Sequence, residues 1–397
     1  MASPIYITGA GIVSAIGLNK DEVFDSLKCR RSGIGMLHYL DTEHTEFPVG
    51  EVKLSNEEMC RMLGIDTNVP VARTSLMGML ALVEALDEAK IGKDAACEIA
   101  LVSGTTVGGM DMTEKHYLDF LAGTSHDEYI RIHDCGATSQ AMADHFGIFS
   151  MVTTISTACS SAANAIITGA NMIKEGIVDI AVVGGSECLT KFHLNGFNSL
   201  MILDREKCRP FDATRAGLNL GEGAAFIVIE SQQSMQRRGV SPIAVLSGYG
   251  NACDAFHQTA SSDNGEGAYL AMQEALQMAG LKPEDIDYIN AHGTGTPNND
   301  MSESNAIARV FGDKYPPVSS TKSFTGHTTS ASGSIEAVIC LLAIRNKFVP
   351  VNLNWKVPME NGFKPYCGDL SDVELKNVLC NSFGFGGNDS SLLFSKV

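Results

Sequence analysis

The chain has 397 residues, charged residues make up 19% of it, and its formal net charge at pH 7 is −17. So acidic a balance excludes a generic nucleic-acid binder, which needs clustered Lys and Arg to neutralise phosphates, and the even composition suits one large body or two halves sharing a core. Eleven cysteines without a C-x-x-C pair suggest neither a zinc ribbon nor a disulfide framework; with no basic leader ahead of an apolar stretch and no run of membrane-spanning length, the expectation is reduced thiols, a cytoplasmic location and no membrane partner.

In chain order, residues 5–8 read as a strand running into Gly9-Ala-Gly11, 71–89 as a helix, 99–102 as a strand and 160–175 as a helix. Residues 180–183, 226–229, 243–246 and 286–289 read as strands, with helices over 267–279 and 334–346. The alternation predicts a largely parallel, helix-covered sheet. The order also runs twice, which suggests an internal duplication. Gly9-Ala-Gly11 matches Gly248-Tyr-Gly250; Ser103-Gly-Thr-Thr matches Asn290-Ala-His-Gly-Thr. Turns and helices follow at Cys159 and His327, and glycine-rich hairpins close each half at Asn219-Leu-Gly-Glu-Gly and Asn381-Ser-Phe-Gly-Phe-Gly-Gly. The two halves, 1–238 and 239–397, join near residues 235–242.

Three segments carry chemistry. Ile155-Ser-Thr-Ala-Cys159-Ser-Ser passes from an apolar strand into a helix, so Cys159 lies at a helix N-terminus, where the dipole and free N–H groups favour a thiolate and supply an oxyanion site. A buried cysteine that merely fills space is the competing reading. Asn290-Ala-His292-Gly-Thr-Gly-Thr ends a strand and projects an imidazole from the sheet edge. Ser320-Thr-Lys322-Ser-Phe-Thr-Gly-His327 places a lysine and a second histidine around a tight turn. Neutral imidazoles can donate to a carbonyl that becomes enolate-like, and a nearby cation helps hold them neutral.

With Ile7-Thr-Gly-Ala-Gly, Thr157-Ala-Cys-Ser, Arg209-Pro-Phe-Asp and Gly221-Glu-Gly in the same order, these segments make the chain resemble the β-ketoacyl-acyl carrier protein synthases of types I and II over essentially its whole length. The resemblance implies an α/β thiolase-like fold of two pseudo-duplicated halves in five layers, α-β-α-β-α. It further implies transfer of an acyl chain to Cys159, malonyl decarboxylation at His292 and His327 supported by Lys322, and an oxyanion hole from the N–H groups of Cys159 and Phe385, with Phe385 also gating the acyl pocket. Phe197, Thr294, Thr296, Phe385 and Gly386 are implied to bind substrate. The partner implied is an acyl carrier protein; an acidic partner would need a local basic patch against the negative field, for which Lys28, Arg30, Arg31, Arg61, Arg205, Lys207 and Arg209 are candidates, with Arg61 and Arg209 taken as the docking residues. No cofactor and no catalytic metal are expected; Asn290, Glu303, Glu336 and Asn381 match positions that sometimes hold a structural cation. A homodimer, or a heterodimer with a related subunit, is implied, with Gly184-Gly-Ser-Glu187 near its interface.

Two departures from that pattern stand out. After His327 the chain reads Thr-Thr-Ser-Ala-Ser-Gly where relatives are more apolar, and His133-Asp-Cys-Gly-Ala-Thr makes the region of the acyl tunnel polar. Both suit an acyl chain that is not plainly saturated, as in aryl polyene or polyketide assembly. Three alternatives fare worse. A dinucleotide fingerprint at Gly9-Ala-Gly11 lacks its third glycine, with Ser14 in its place. A non-elongating chain-length-factor-like subunit typically loses the nucleophile that Cys159 retains. A thiolase needs a second catalytic cysteine in the C-terminal glycine-rich loop, and Cys380 precedes that loop.

Overall fold

The computed structural model describes residues 4–92, 97–123, 127–360, 362–368 and 372–397. Met1, Ala2 and Ser3, which are part of the N-terminal reading, lie outside them. The described residues form ten strands: β1 (Ile5–Ser14), β2 (Ile99–Gly104), β3 (Met151–Ile155), β4 (Ile180–Glu187), β5 (Gly223–Ser231), β6 (Ala244–Cys253), β7 (Tyr288–Asn290), β8 (Val318–Ser319), β9 (Asn377–Gly384) and β10 (Asn388–Ser395). Six helices build the layers and the site: α1 (Arg73–Glu88), α2 (Ser161–Lys174), α3 (Lys191–Ser199), α4 (Glu266–Ala279), α5 (Pro297–Phe311) and α6 (Ser332–Asn346).

The strand order β3-β2-β4-β5-β1-β6-β10-β9-β7-β8 is symmetric about the β1–β6 junction. Outward from it, each half presents its first strand, then its last, fourth, second and third. The junction is short, pairing Ile5 with Leu246, Tyr6 with Val245 and Ile7 with Ala244. The sheet is mixed, not largely parallel as the alternation predicted. β2 runs parallel to β3 and β4, and β7 to β8 and β9, while β5 and β10 are antiparallel to both their neighbours. Only the strands linked by helical crossovers keep one direction; the last strand of each half returns between the first and fourth. β9 and β10 form the expected hairpin, but Asn219-Leu-Gly-Glu-Gly does not. There Gly221 N donates to His327 O and His327 N to Asn219 O, which ties the first half to the second.

Gly9 and Gly11 lie inside β1, which runs on to Ser14 and turns only there, where Ser14 and Gly17 exchange backbone hydrogen bonds. Their role is packing. A Cβ on Gly11 would sit 2.0 Å from Ala81 O of α1, and one on Gly250 2.2 Å from Ala271 O of α4. Glu88 and Glu84 of α1 accept from Ala10 N and Ile12 N at 3.0 Å, and Glu274 of α4 repeats this at Asn251 N, also 3.0 Å. No phosphate-binding turn opens at these glycines.

The core divides into layers. One apolar cluster joins Ile7, Val183 and Ile229 with Tyr288, Val378 and Phe394 through Ile166 of α2 and Ile335 and Leu342 of α6, so these two helices are sandwiched between the half-sheets. A second cluster covers the other face of the first half with Leu82 and Ala85 of α1, and a third covers the second half with Met272 of α4 and Ile307 of α5. Five layers result, in the order α-β-α-β-α.

Candidate active site

Beyond β3 the chain turns through Ala158, whose φ of +52° is rare for a residue with a Cβ, into a 3-10 turn, Ala158–Ser160, and then α2. Polar side chains hold this turn: Thr157 N donates to Ser161 Oγ at 2.9 Å, Ser161 Oγ to Ala158 O at 2.6 Å, and Ser160 Oγ to Asn388 Oδ1 at 2.7 Å. The second half repeats the device at Thr329, with φ +44°, followed by Thr329–Ala331 and α6. Ser330 therefore occupies the position that Cys159 has in the first half. α2 and α6 approach closely because residue 333 is glycine: a Cβ there would meet Ala163 N at 2.7 Å. That approach carries His327 to Cys159.

His327 Nε2 lies 3.1 Å from Cys159 Sγ, and its Nδ1 lies 3.0 Å from Ser332 Oγ. His292 follows β7 by two residues; its backbone N–H and that of Gly293 donate to Glu303 of α5 at 2.8 and 2.7 Å, which clamps the loop. His292 Nδ1 is 3.3 Å from Lys322 Nζ, and Lys322 in turn donates to Glu336 of α6. The two imidazoles meet edge to face with centroids 5.3 Å apart. One donor atom each from Cys159, His292 and His327 lies within 4.8 Å of the others. All five side chains, Glu336 included, are buried.

Burial, with Lys322 next in weight, pushes both histidines well below 6.5, so both are neutral at physiological pH. Lys322 has no acceptor to offer, so the hydrogen bond it gives His292 Nδ1 leaves the proton on Nε2. Burial also pushes Cys159 up to about 11, against the opposing pull of the Phe385 backbone N–H and of Lys322. The helix terminus favours the thiolate, as its position in the sequence suggested, but the desolvation of the buried sulfur outweighs it. Glu336 is held up at about 7 by burial, with Lys322 opposing.

Cys159, His292, His327, Thr294, Thr296, Phe385 and Gly386 line one cavity of about 380 Å³. Phe197 of α3 is not on its wall but stacks on Phe385, with centroids 5.8 Å apart and an interplanar angle of 21°. A cavity of about 510 Å³ around the Arg73–Glu222 ion pair contains neither cysteine nor histidine.

The four residues expected at a structural cation have separate partners. Glu303 accepts from two backbone N–H groups and, at 3.2 Å, from Asn381 Nδ2; Glu336 is occupied by Lys322. One oxygen of Asn290 and one of Glu336 are left without a hydrogen bond. Of the expected docking residues, Arg61 is exposed, whereas Arg209 is already paired with Asp204 and Glu206. Residues 184–187 form the buried C-terminal end of β4. Sequence reasoning placed Glu187 only near an interface and missed its contacts beside the site: it accepts from Thr105 Oγ1 at 2.6 Å, Thr106 N at 2.9 Å, Val107 N at 3.0 Å and Ser330 Oγ, with His193 Nε2 at 3.7 Å. An acidic residue ending a buried strand was its only signal.

Residues 2–234 match the beta-ketoacyl synthase N-terminal domain, and residues 243–356 the beta-ketoacyl synthase C-terminal domain. The chain belongs to the beta-ketoacyl synthase family. These synthases are acyl-transferring condensing enzymes. The chain is 33% identical over 412 residues to nodulation protein E of Rhizobium meliloti strain 1021, covering 99% of each. It is 33% identical over 416 residues to 3-oxoacyl-[acyl-carrier-protein] synthase 2 of Staphylococcus aureus strain COL, covering 99% of this chain and 98% of that one. Among solved structures, the ishigamide ketosynthase/chain length factor superimposes with a TM-score of 0.94 at 30% identity and full coverage of both chains. Against the pattern of these synthases, the polar run after His327 acquires a location: Ser330 reaches Glu187, and Ser332 reaches His327 itself.

Proposed function

We propose that this synthase loads an acyl group from a carrier-protein thioester onto Cys159 and elongates it by decarboxylative condensation with a malonyl-carrier thioester. The observation that carries this reading is the thiol of Cys159 lying 3.1 Å from a neutral His327 on the wall of a 380 Å³ cavity that also holds His292, itself backed by Lys322. In loading, the thiol proton passes to His327 Nε2 as sulfur attacks the thioester carbonyl. Charge on that oxygen is met by the N–H groups of Cys159 and Phe385, and the departing carrier thiolate takes the proton from Nε2. In elongation, His292 Nε2–H and His327 donate to the malonyl thioester oxygen while CO₂ leaves. The resulting carbanion attacks the acyl carbonyl, the carbon–sulfur bond to Cys159 breaks, and the departing thiolate takes one proton from water, the one proton that the overall condensation consumes. Lys322 keeps the imidazoles uncharged so that they donate without trapping the enolate as an ion pair.

Phe385, braced by Phe197, gates the acyl pocket in this reading, and Thr294 and Thr296 hold the carrier's thioester arm at the mouth. The acidic carrier docks on exposed cations such as Arg61, Arg205 and Lys207; Arg209, paired within its own loop, shapes the site instead. The polar tract His133–Thr138 and the serines after His327 favour an unsaturated or oxygenated acyl chain of a secondary pathway over a plain fatty acid. A dimer, homomeric or with a related chain-length-factor-like subunit, in the cytoplasm fits this reading. The opposite assignment, that this chain is itself the non-elongating subunit, is disfavoured by the intact Cys159, His292, His327 and Lys322. The test is incubation with acyl-carrier thioesters of several chain types plus malonyl-carrier protein, with Cys159→Ala as control. Adducts on the wild type alone followed by β-ketoacyl product support the reading; no loading and no product, with or without a partner subunit, refute it.

A further inference from the structure

The hydrogen bond between His327 Nδ1 and Ser332 Oγ, 3.0 Å, is made by a side chain that the mechanism above does not use. Ser332 opens α6, its hydroxyl also lies 3.2 Å from Thr328 Oγ1, and both side chains are buried. The contrast with the first half is informative. Ser161 stands at the corresponding place and spends its hydroxyl on its own turn, at Ala158 O and Thr157 N. Ser332 spends its hydroxyl on the histidine.

We infer that Ser332 is a positioning residue that sets the tautomer of His327 and lets it reverse between the two half-reactions, an inference that rests on the reading of Cys159 and His327 just given. A hydroxyl accepts and donates with equal facility, whereas a backbone N–H or a carbonyl at the same place would lock one tautomer. Before loading, Cys159 is a thiol and needs an acceptor, so Nε2 is bare, Nδ1 carries the proton and Ser332 Oγ accepts it. As sulfur attacks, Nε2 gains the thiol proton, and both N–H groups of the imidazolium have partners, Ser332 Oγ and the departing carrier thiolate. That thiolate removes the Nε2 proton, so none is gained or lost. In decarboxylation the same Nε2 must donate to an enolate oxygen. Nδ1 is then bare, and Ser332 turns its O–H toward it. The change moves one proton onto Nε2 and one off Nδ1, exchanged with water that enters the cavity between substrates.

The experiment combines histidine-selective ¹⁵N labelling with the half-reaction rates of Ser332→Ala and Ser332→Thr. Assignment uses a His327→Asn variant. The expected spectrum of the unloaded wild type shows His327 protonated at Nδ1 and bare at Nε2, with the reverse in the acyl-loaded enzyme. Ser332→Ala leaves a buried ring nitrogen unpartnered in either state and slows both acyl loading and malonyl-thioester decarboxylation about tenfold or more. Ser332→Thr, which retains the hydroxyl, restores both rates to within about threefold of wild type, a rescue that a purely structural serine would not show. One fixed tautomer in both states, or Ser332→Ala loading and decarboxylating at the wild-type rate, overturns the inference. A wild type that takes no acyl group at Cys159 overturns the preceding reading and this one with it, whereas a wild type and Ser332→Ala that turn over alike overturn this one alone.

Discussion

Replacing Lys322 by Met keeps much of its volume but removes the only cation against Glu336, among the described residues, deep inside the protein. Glu336 already has one oxygen without a hydrogen bond, and Lys322 holds the other. Breaking a buried pair by removing one partner costs about 3–5 kcal/mol, because the remaining charge is stranded. With an unfolding entropy of roughly 2 cal/mol/K per residue, a chain of this length loses about 4–6 °C of melting temperature. The loss depends on pH in a defined sense. Glu336, already at about 7 with the lysine present, rises further without it. A carboxyl whose folded value is raised contributes stability at low pH that is lost as pH rises through that value, so the defect is small at pH 5, grows by about 1.4 kcal/mol per pH unit above 7 and is full only above the variant's own raised value. The double variant Lys322→Met with Glu336→Gln removes the stranded charge and recovers most of the loss, although both variants lose activity through His292. Thermal melts of the wild type, Lys322→Met, Glu336→Gln and the double variant at pH 5 and pH 8 measure the cycle. A single variant that melts like wild type at pH 8, or a double variant no more stable than the single, would refute the reasoning.

Further outcomes follow from the same geometry. Because burial holds the Cys159 thiol up near 11, its alkylation by iodoacetamide, followed by peptide mass spectrometry, rises about tenfold per pH unit between pH 8 and 10; a rate independent of pH would show a resting thiolate. Glu303→Gln replaces one acceptor oxygen with a donor facing the N–H groups that position His292, lowering stability by about 1–3 kcal/mol and kcat by roughly tenfold or more; unchanged kcat contradicts the clamp. Asp212, pushed up by burial but held at about 2 by N–H donors of Val357, Lys356 and Thr214 and the Thr214 hydroxyl, contributes stability that is complete above about pH 4 and lost as pH falls through 2. Asp212→Asn should flatten that acid limb in denaturant melts; an unchanged limb counts against it. Gly11→Ala, whose Cβ would stand 2.0 Å from Ala81 O, should destabilise by about 1–3 kcal/mol or more in urea melts, and a neutral effect would remove the packing account of the glycine pair.

The layered α/β fold was legible because two periodicities alternate in strict order, and Cys159, His292, Lys322 and His327 were legible because each sits where an element ends. The strand directions were not, since an apolar run of four residues reads the same in a parallel or an antiparallel neighbourhood. Gly9 and Gly11 looked like a turn; their purpose, close approach to α1, depends on a helix some 70 residues away. The protonation of Cys159 was misjudged because a helix terminus is visible in sequence and complete burial is not. The contacts of Glu187 and Ser332, both within segments the sequence singled out, were not legible for a similar reason. Their partners, Thr105 and Ser330 for one and the His327 ring for the other, are brought together only by the packing of α2, α6 and the sheet.

Acyl loading at Cys159 is the claim on which the rest depends, and intact mass measured after mixing the protein with an acyl-carrier thioester addresses it directly. The account predicts a mass increase of one acyl group on the wild type, none on Cys159→Ala, and its discharge as β-ketoacyl product when malonyl-carrier protein is added. An acyl group that loads equally on Cys159→Ala, or a wild type that stays unmodified with every chain offered and with a partner subunit present, would contradict it.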